Sequence, residues 1–123
     1  MQNRPKYLNL MQIRLPLPAF VSILHRASGA LLFLALPLLL FWLQRSLNSA
    51  ETFAALQSIF ARVSTKLIVV ILLWGYLHHL CAGIRHLAMD MHFGLELPAA
   101  RASSVAVFVV SITLTLVIAT LLW

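Results

Sequence analysis

Long uninterrupted apolar segments dominate this chain. Three stretches contain no Asp, Glu, Lys or Arg, and they cover residues 27–44, 67–84 and 102–123. Their lengths of 18, 18 and 22 residues suit membrane-crossing helices, since about 20 residues span the hydrocarbon core. Strands of a membrane barrel would alternate polar and apolar side chains, which these stretches do not. The pattern predicts an all-α integral membrane protein that forms one domain over residues 1–123. Its three transmembrane helices are predicted near residues 21–44, 65–89 and 102–123.

The segments outside the spans carry signals of their own. Pro5, Pro16 and Pro18 are expected to interrupt the chain before the first span. After that span, Asn48 and Glu51 have the spacing of a capping box, with Asn48 as the N-cap. Apolar residues then recur at helical spacing, at Phe53, Leu56, Ile59, Phe60 and Val63. A short amphipathic helix is therefore predicted between the first two spans, in the plane of the membrane interface.

Composition narrows the class of protein. Apolar residue types make up 62% of the chain and charged types only 10%, whereas a soluble domain has about 25% charged residues. This excludes a water-soluble globular fold. The net charge of +6 does not indicate a nucleic-acid partner, because a nucleic-acid binder would be far less apolar. The single cysteine, Cys81, excludes an intrachain disulfide framework.

The distribution of Lys and Arg predicts how the chain is oriented in the membrane. The cations near the N-terminus and after the second span are Arg4, Lys6, Arg14, Arg26, Arg85 and Arg101. Those on the opposite side are Arg45, Arg62 and Lys66. Since the side richer in cations faces the cytoplasm, we expect a bacterial inner-membrane protein with a cytoplasmic N-terminus and a periplasmic C-terminus. In a mitochondrion the N-terminus would face the matrix.

Polar residues collect at one end of the first two spans. The first span begins, and the second ends, with the residues Ser22, His25, Arg26, Arg85, His86 and Asp90. Because consecutive spans run in opposite directions, both clusters should meet at one depth on one membrane face. Ionisable groups within a span cost about 2.5–3.5 kcal/mol each, so they commonly line a site. Ordinary anchoring at the interface is the alternative.

The second span also carries a deeper polar stripe. Helical rotation of about 100° per residue places His79, Gly83, His86 and Asp90 on one face. The neighbouring His78 points elsewhere and is expected to pack against a helix or a partner. By residue count, His79 lies about 20 Å into the span. A neutral imidazole at that depth needs a hydrogen-bond partner or a metal.

Two interpretations of His79 stay open at this point. One is a hydrogen bond that packs two helices together. The other is ligation of haem iron, since a Gly83 one turn away would let a flat macrocycle approach the helix. Haem propionates are anions, and His25, Arg26 and His86 are placed to hold them nearer the surface.

Two segments resemble signatures of a known family. Residues 22–29, Ser-Ile-Leu-His-Arg-Ala-Ser-Gly, with Arg4-Pro5 upstream, are similar to the N-terminal signature of the cytochrome b membrane-anchor subunit of succinate dehydrogenase. That subunit is the larger of the two bacterial anchors. Residues 79–90 resemble its second signature, H-x-x-x-G-[apolar]-R-H-x-x-x-D. The resemblance covers nearly the whole chain.

The resemblance implies roles for individual residues. His79 matches the axial ligand of the haem iron, and His25 matches a position near a haem propionate. Ser22 and Arg26 match residues of the ubiquinone site. The remaining matches lie beside the haem and the quinone, at Gly83, Arg85, His86 and Asp90.

The same resemblance implies a cofactor and partners. Haem b would be shared with a smaller hydrophobic anchor subunit, which supplies the second axial ligand, and ubiquinone would be the substrate. An iron–sulfur subunit, a flavoprotein subunit and membrane lipids would complete the surroundings, and succinate chemistry would belong to the flavoprotein. Two alternatives remain open: a quinol:fumarate reductase anchor, and a non-redox membrane assembly or scaffold protein.

Overall fold

Four helices make up the structure, a computed structural model that describes residues 15–123. They are α1 (Leu17–Asn48), α2 (Ala50–Phe60), α3 (Val63–Asp90) and α4 (Leu97–Leu122). The helices α1, α3 and α4 are long and apolar enough to cross a membrane, which confirms the predicted all-α membrane fold with three spans. The expectations placed on Arg4, Pro5, Lys6 and Arg14 lie outside the described residues.

Each membrane helix is longer than the span predicted from the charge-free stretch. α1 continues through Arg45, and α4 begins ahead of Arg101. A charge near the interface does not interrupt backbone hydrogen bonding, because a long basic side chain can extend toward water. Pro18 was expected to interrupt the chain, and this is wrong, because α1 begins at Leu17 with Pro18 in its first turn. The N–H that proline lacks has no helical acceptor at that position.

The short helix predicted between the first two spans is present as α2. Its cap is one residue later than predicted, because Asn48 belongs to α1 and Ser49 is the N-cap. The backbone N–H of Thr52 donates to Ser49 Oγ over 3.1 Å, and the N–H of Ser49 donates to Thr52 Oγ1 over 3.1 Å. The predicted Asn48–Glu51 capping box is therefore wrong. Edge-to-face packing of Trp42 on Phe60, with ring centroids 5.1 Å apart, holds α2 against α1.

The buried core within the described residues is small. It contains Val21 of α1, Ala82 of α3 and Val107 of α4, with Cys81 and Phe108 packed at its edge. An apolar stretch of 18 residues within α1 contains no buried residue. The outer surface is therefore largely aliphatic, as expected for a protein surrounded by lipid or by other membrane helices.

Small and hydroxylated residues form the face of α4 that packs against its neighbours. The buried positions on this face are Ala100, Ser104, Val107, Ser111 and Thr115. Ser111 and Thr115 were predicted to pack between helices, and both are buried. Each hydroxyl donates to a carbonyl within α4, at Phe108 and Ser111 respectively. Small residues of this kind let membrane helices approach closely without leaving a polar group unsatisfied.

The antiparallel packing of α1 on α3 positions the polar residues. It brings the first third of α1 against the second half of α3, so that the His25 and His86 rings lie 5.0 Å apart. The α3–α4 turn lies at the same end of the bundle. The polar ends of all three membrane helices therefore share one side.

Candidate functional site

Three histidines meet where α1 packs against α3. The rings of His25 and His79 are stacked, with centroids 4.2 Å apart and planes inclined by 12°. The ring of His86 is tilted relative to that of His25, with the two ring centroids 5.0 Å apart. His25 therefore lies between the two histidines that α3 presents two turns apart.

The ring of His79 is held in one orientation by α1. Its Nδ1 lies 3.0 Å from the backbone carbonyl oxygen of His25 and 3.3 Å from Ser28 Oγ. A carbonyl oxygen can only accept a hydrogen bond, so this contact places the ring proton on Nδ1. Nε2 consequently keeps its lone pair, and it belongs to a ring that is only partly buried within this chain. An imidazole fixed in this way is prepared to bind a metal through Nε2.

The close approach of His79 to α1 depends on Gly29. A Cβ atom at position 29 would lie 2.8 Å from His79 Cε1 and 3.3 Å from its Nδ1. The His79 ring therefore occupies space that any other residue at position 29 would fill. Helix α1 carries a glycine at this position because a side chain would displace His79 from the His25 carbonyl.

Gly83 has a different neighbour from the one that the sequence suggested. A Cβ atom there would meet His25 Nε2 at 3.5 Å, which is ordinary van der Waals contact. Within this chain, Gly83 thus lies against the His25 ring. Its predicted place beside a haem stays a prediction.

Ser22 and Arg26 form a second polar pair near the start of α1. One terminal nitrogen of Arg26, Nη2, donates to Ser22 Oγ over 3.4 Å, as residues four apart on a helix can. Arg26 is exposed and Ser22 is partly buried. A hydrogen bond of this length is weak, so both groups retain capacity for another partner.

The two predicted polar clusters meet only in part. His25 and His86 come together, whereas Arg85 turns away from them and is 7% exposed beneath α4. Its Nε donates to Ser103 Oγ over 3.0 Å. The physical reason is helical geometry, since successive residues of α3 differ by about 100° in direction. Asp90, the last residue of α3, is exposed.

His78 is a packing residue, in line with its predicted direction away from His79. Its ring is 1% exposed and lies between Trp74 and Phe108, with centroid distances of 5.4 and 5.3 Å. Neither ring nitrogen of His78 has a hydrogen-bond partner among the described residues. The histidine pair in the sequence is therefore split between the α1 face and the α4 face of α3.

Sequence reasoning gave no role to Ser28 and Gly29. They follow His25 by three and four residues, so they lie on the same face of α1 as His25. They belong to a run of four small residues, 27–30, in a helix otherwise rich in leucine. That signal indicates close approach by a neighbouring side chain, but it does not reveal that the neighbour is His79.

Comparison with known proteins identifies a matching family and several relatives of similar sequence. The family model described as succinate dehydrogenase/fumarate reductase transmembrane subunit matches residues 1–118. The chain is 46% identical over 109 residues to the succinate dehydrogenase cytochrome b556 subunit of Coxiella burnetii, covering 88% of this chain and 87% of that one. It is 35% identical over 112 residues to the subunit of the same name from Paracoccus denitrificans, covering 91% and 86%. The subunit of that name from Rickettsia felis is 35% identical over 122 residues, covering 98% and 90%.

Proposed function

The chain belongs to the succinate dehydrogenase/fumarate reductase transmembrane-subunit family and is a membrane-anchor subunit of succinate dehydrogenase; we propose that His79 ligates its haem b and that Ser22 and Arg26 form part of its ubiquinone site. The haem follows from the cytochrome b556 name of the relatives. The residue assignments are those that the resemblance of residues 22–29 and 79–90 implies, and the arrangement of α1 and α3 supports them.

The state of the His79 ring is the observation that carries this proposal. Nδ1 is hydrogen-bonded to the His25 carbonyl oxygen at 3.0 Å. This leaves the lone pair of Nε2 available to coordinate iron. An imidazole nitrogen is a common axial ligand of haem iron, and a backbone carbonyl on the other nitrogen is a common means of fixing such a ligand. The residues present thus fit a haem whose iron the Nε2 atom of His79 would hold.

The smaller hydrophobic anchor subunit would supply the second axial ligand. His25 and His86 lie together toward the polar end of this face, and they and the neighbouring Arg26 would hold the propionates. Gly83 would allow the haem edge to approach α3. When bound, haem b supplies a one-electron redox centre within the membrane.

Quinone binding is assigned to the Ser22–Arg26 pair. Ubiquinone has two carbonyl oxygens, and each needs a donor as negative charge develops on it during reduction. The Ser22 hydroxyl and the Arg26 guanidinium both donate, and their mutual contact of 3.4 Å is weak enough to yield to a substrate. In a site of low dielectric constant, one such donor contributes roughly 2.7–4 kcal/mol.

The place of this chain in the complex follows from these roles. The flavoprotein subunit removes two electrons and two protons from succinate, and the iron–sulfur subunit carries the electrons to the membrane. There, ubiquinone takes up two electrons and two protons. We assign the N-terminal end of α1 to the cytoplasmic side of a bacterial inner membrane, where the soluble subunits would dock and from which the protons would come. Arg85 and Asp90 belong to that same end and would have supporting roles.

Purification of the chain with its natural partners tests the proposal. We expect a flavoprotein, an iron–sulfur protein and a smaller anchor to copurify, with a b-type absorbance band in the reduced complex and succinate-dependent reduction of ubiquinone. A pure complex without any haem band would instead support a non-redox scaffold. Rapid quinol-dependent reduction of fumarate with negligible succinate oxidation would support a fumarate reductase anchor.

A further inference from the structure

Arg85 is a buried cation whose hydrogen bonds within residues 15–123 go to neutral acceptors. The side chain is 7% exposed. Its Nε donates to Ser103 Oγ over 3.0 Å, and Nη2 reaches the Ala100 carbonyl oxygen over 3.4 Å. A guanidinium has five N–H donors. A buried charge of this kind calls for a counter-charge.

The Ala100 carbonyl is a poor acceptor for Arg85 because it already receives other donors. The hydroxyl of Ser104 donates to it over 2.7 Å, and that of Ser103 over 3.2 Å. A carbonyl oxygen has two lone pairs, and the Arg85 contact is the longest of the three. The other terminal nitrogen of Arg85, Nη1, has no hydrogen-bond partner among the described residues and is not fully buried. The guanidinium therefore has donors left for an anion.

An apolar groove runs from Arg85 into the membrane between α3 and α4. The groove has a volume of about 280 Å³. Arg85 and Ser103 lie at the end nearer the α3–α4 turn, and the deeper walls come from Cys81, Ile84, Ala106, Val107 and Val110. Arg85 precedes the end of α3 by five residues, or about 7.5 Å along the axis. The groove surface is thus almost wholly apolar, and the largely buried Arg85 side chain borders it at the end nearer the interface.

This order of polar and apolar groups matches a lipid. We propose that an anionic phospholipid of the surrounding bilayer binds here, with its phosphate on the Arg85 guanidinium and one acyl chain in the α3–α4 groove. The planar guanidinium fits phosphate oxygens through two parallel hydrogen bonds. The carboxylate of a partner subunit would also neutralise Arg85, but it would leave the aliphatic groove unexplained. Arg85 contacts α4 whereas His86 contacts α1, so the site does not depend on the haem or quinone assignments.

The test uses the intact complex purified with its partner subunits. After extensive washing in detergent, retained phospholipid is counted by native mass spectrometry and by phosphorus analysis of lipid extracts. We expect wild-type complex to retain a phospholipid that Arg85→Gln holds with about tenfold lower occupancy, since charge-assisted hydrogen bonds to the phosphate are lost. After complete delipidation with a harsher detergent, added phosphatidylglycerol should bind again to the wild type and not to the variant.

Two further variants keep the result interpretable. Arg101→Gln removes an exposed cation from the same end of α4 and should leave phospholipid occupancy unchanged. Ala106→Trp fills the groove while Arg85 stays intact, and it should lower occupancy as Arg85→Gln does; it decides the question alone if Arg85→Gln fails to assemble. Wild-type occupancy in both Arg85→Gln and Ala106→Trp would overturn the proposal. So would a structure of the complex with a partner carboxylate on Arg85 and no lipid in the groove.

Discussion

The Nδ1 atom of His79 lies 3.0 Å from the backbone carbonyl oxygen of His25. The contact joins the His79 side chain of α3 to a backbone atom of α1, which a substitution of the His25 side chain would not remove. It also sets the direction of Nε2, because the ring can rotate only by giving up this hydrogen bond. The helix pair that supports the site thus also selects which nitrogen is available to a metal.

Gly29→Ala should disrupt the site. The added Cβ would lie 2.8 Å from His79 Cε1, so the ring must move and lose the His25 carbonyl. We expect haem content per purified complex to fall severalfold, measured from the reduced absorbance band. The matched control is Gly75→Ala on α3, where the Cβ would meet Leu31 Cδ2 at an ordinary 3.9 Å. Equal haem content in the two variants would show that His79 tolerates displacement or that it is not the ligand.

Ser22→Ala and Arg26→Leu should each reduce ubiquinone turnover. Removal of one donor to a developing negative charge lowers the rate by about 10²–10³. Succinate oxidation with a dye that accepts electrons upstream should persist, because the flavin and the iron–sulfur clusters belong to other subunits. Ser22→Ala should keep its haem, whereas Arg26→Leu should lose some through a propionate contact. Wild-type quinone turnover and inhibitor sensitivity in both assembled variants would move the site elsewhere.

Ser49→Ala should loosen α2. The substitution removes the N-cap acceptor for the Thr52 N–H, which typically costs about 1 kcal/mol. Hydrogen exchange of the α2 amides should become about fivefold faster as a result. Asn48→Ala is the control and should leave exchange unchanged, since Asn48 belongs to α1. Faster exchange in Asn48→Ala alone would restore Asn48 as the cap.

The chain should not be stable without partners. His79 and His86 are only partly buried, and they would present polar groups to hydrocarbon on the face between α1 and α3. Expressed alone, the chain should be degraded or aggregate, and coexpression with the smaller anchor subunit should raise its amount in the membrane. A well-folded, haem-free monomer obtained without any partner subunit would refute this.

The three spans could be predicted from the sequence because charge and hydropathy change abruptly at their borders. The helix ends were predicted less accurately, since Arg45 and Arg101, which bound the charge-free stretches, lie inside helices. The one-residue shift of the cap from Asn48 to Ser49 has a similar origin. Asn and Ser are both good N-caps, and only the path of the chain selects between them.

The candidate site was predictable as a set of residues on one helix face. Helical periodicity placed His79, Gly83 and His86 together on α3, but it could not show what α1 contributes opposite them. The roles of Ser28 and Gly29 depend on the register between two helices, which no local pattern encodes. The direction of Arg85 toward Ser103 has the same dependence.

Ligation of haem b by His79 is tested most directly by the spectrum of a His79→Leu complex. The complex is purified with its partner subunits, and the reduced-minus-oxidised absorbance and the electron paramagnetic resonance spectrum are recorded beside the wild type. His92→Asn, outside the helices at a residue with φ 66°, is the control, because asparagine tolerates that backbone conformation. We predict that His79→Leu loses the bis-imidazole signal and most of its haem, while His92→Asn retains both. An unchanged b-type spectrum with two imidazole ligands in His79→Leu would contradict the account.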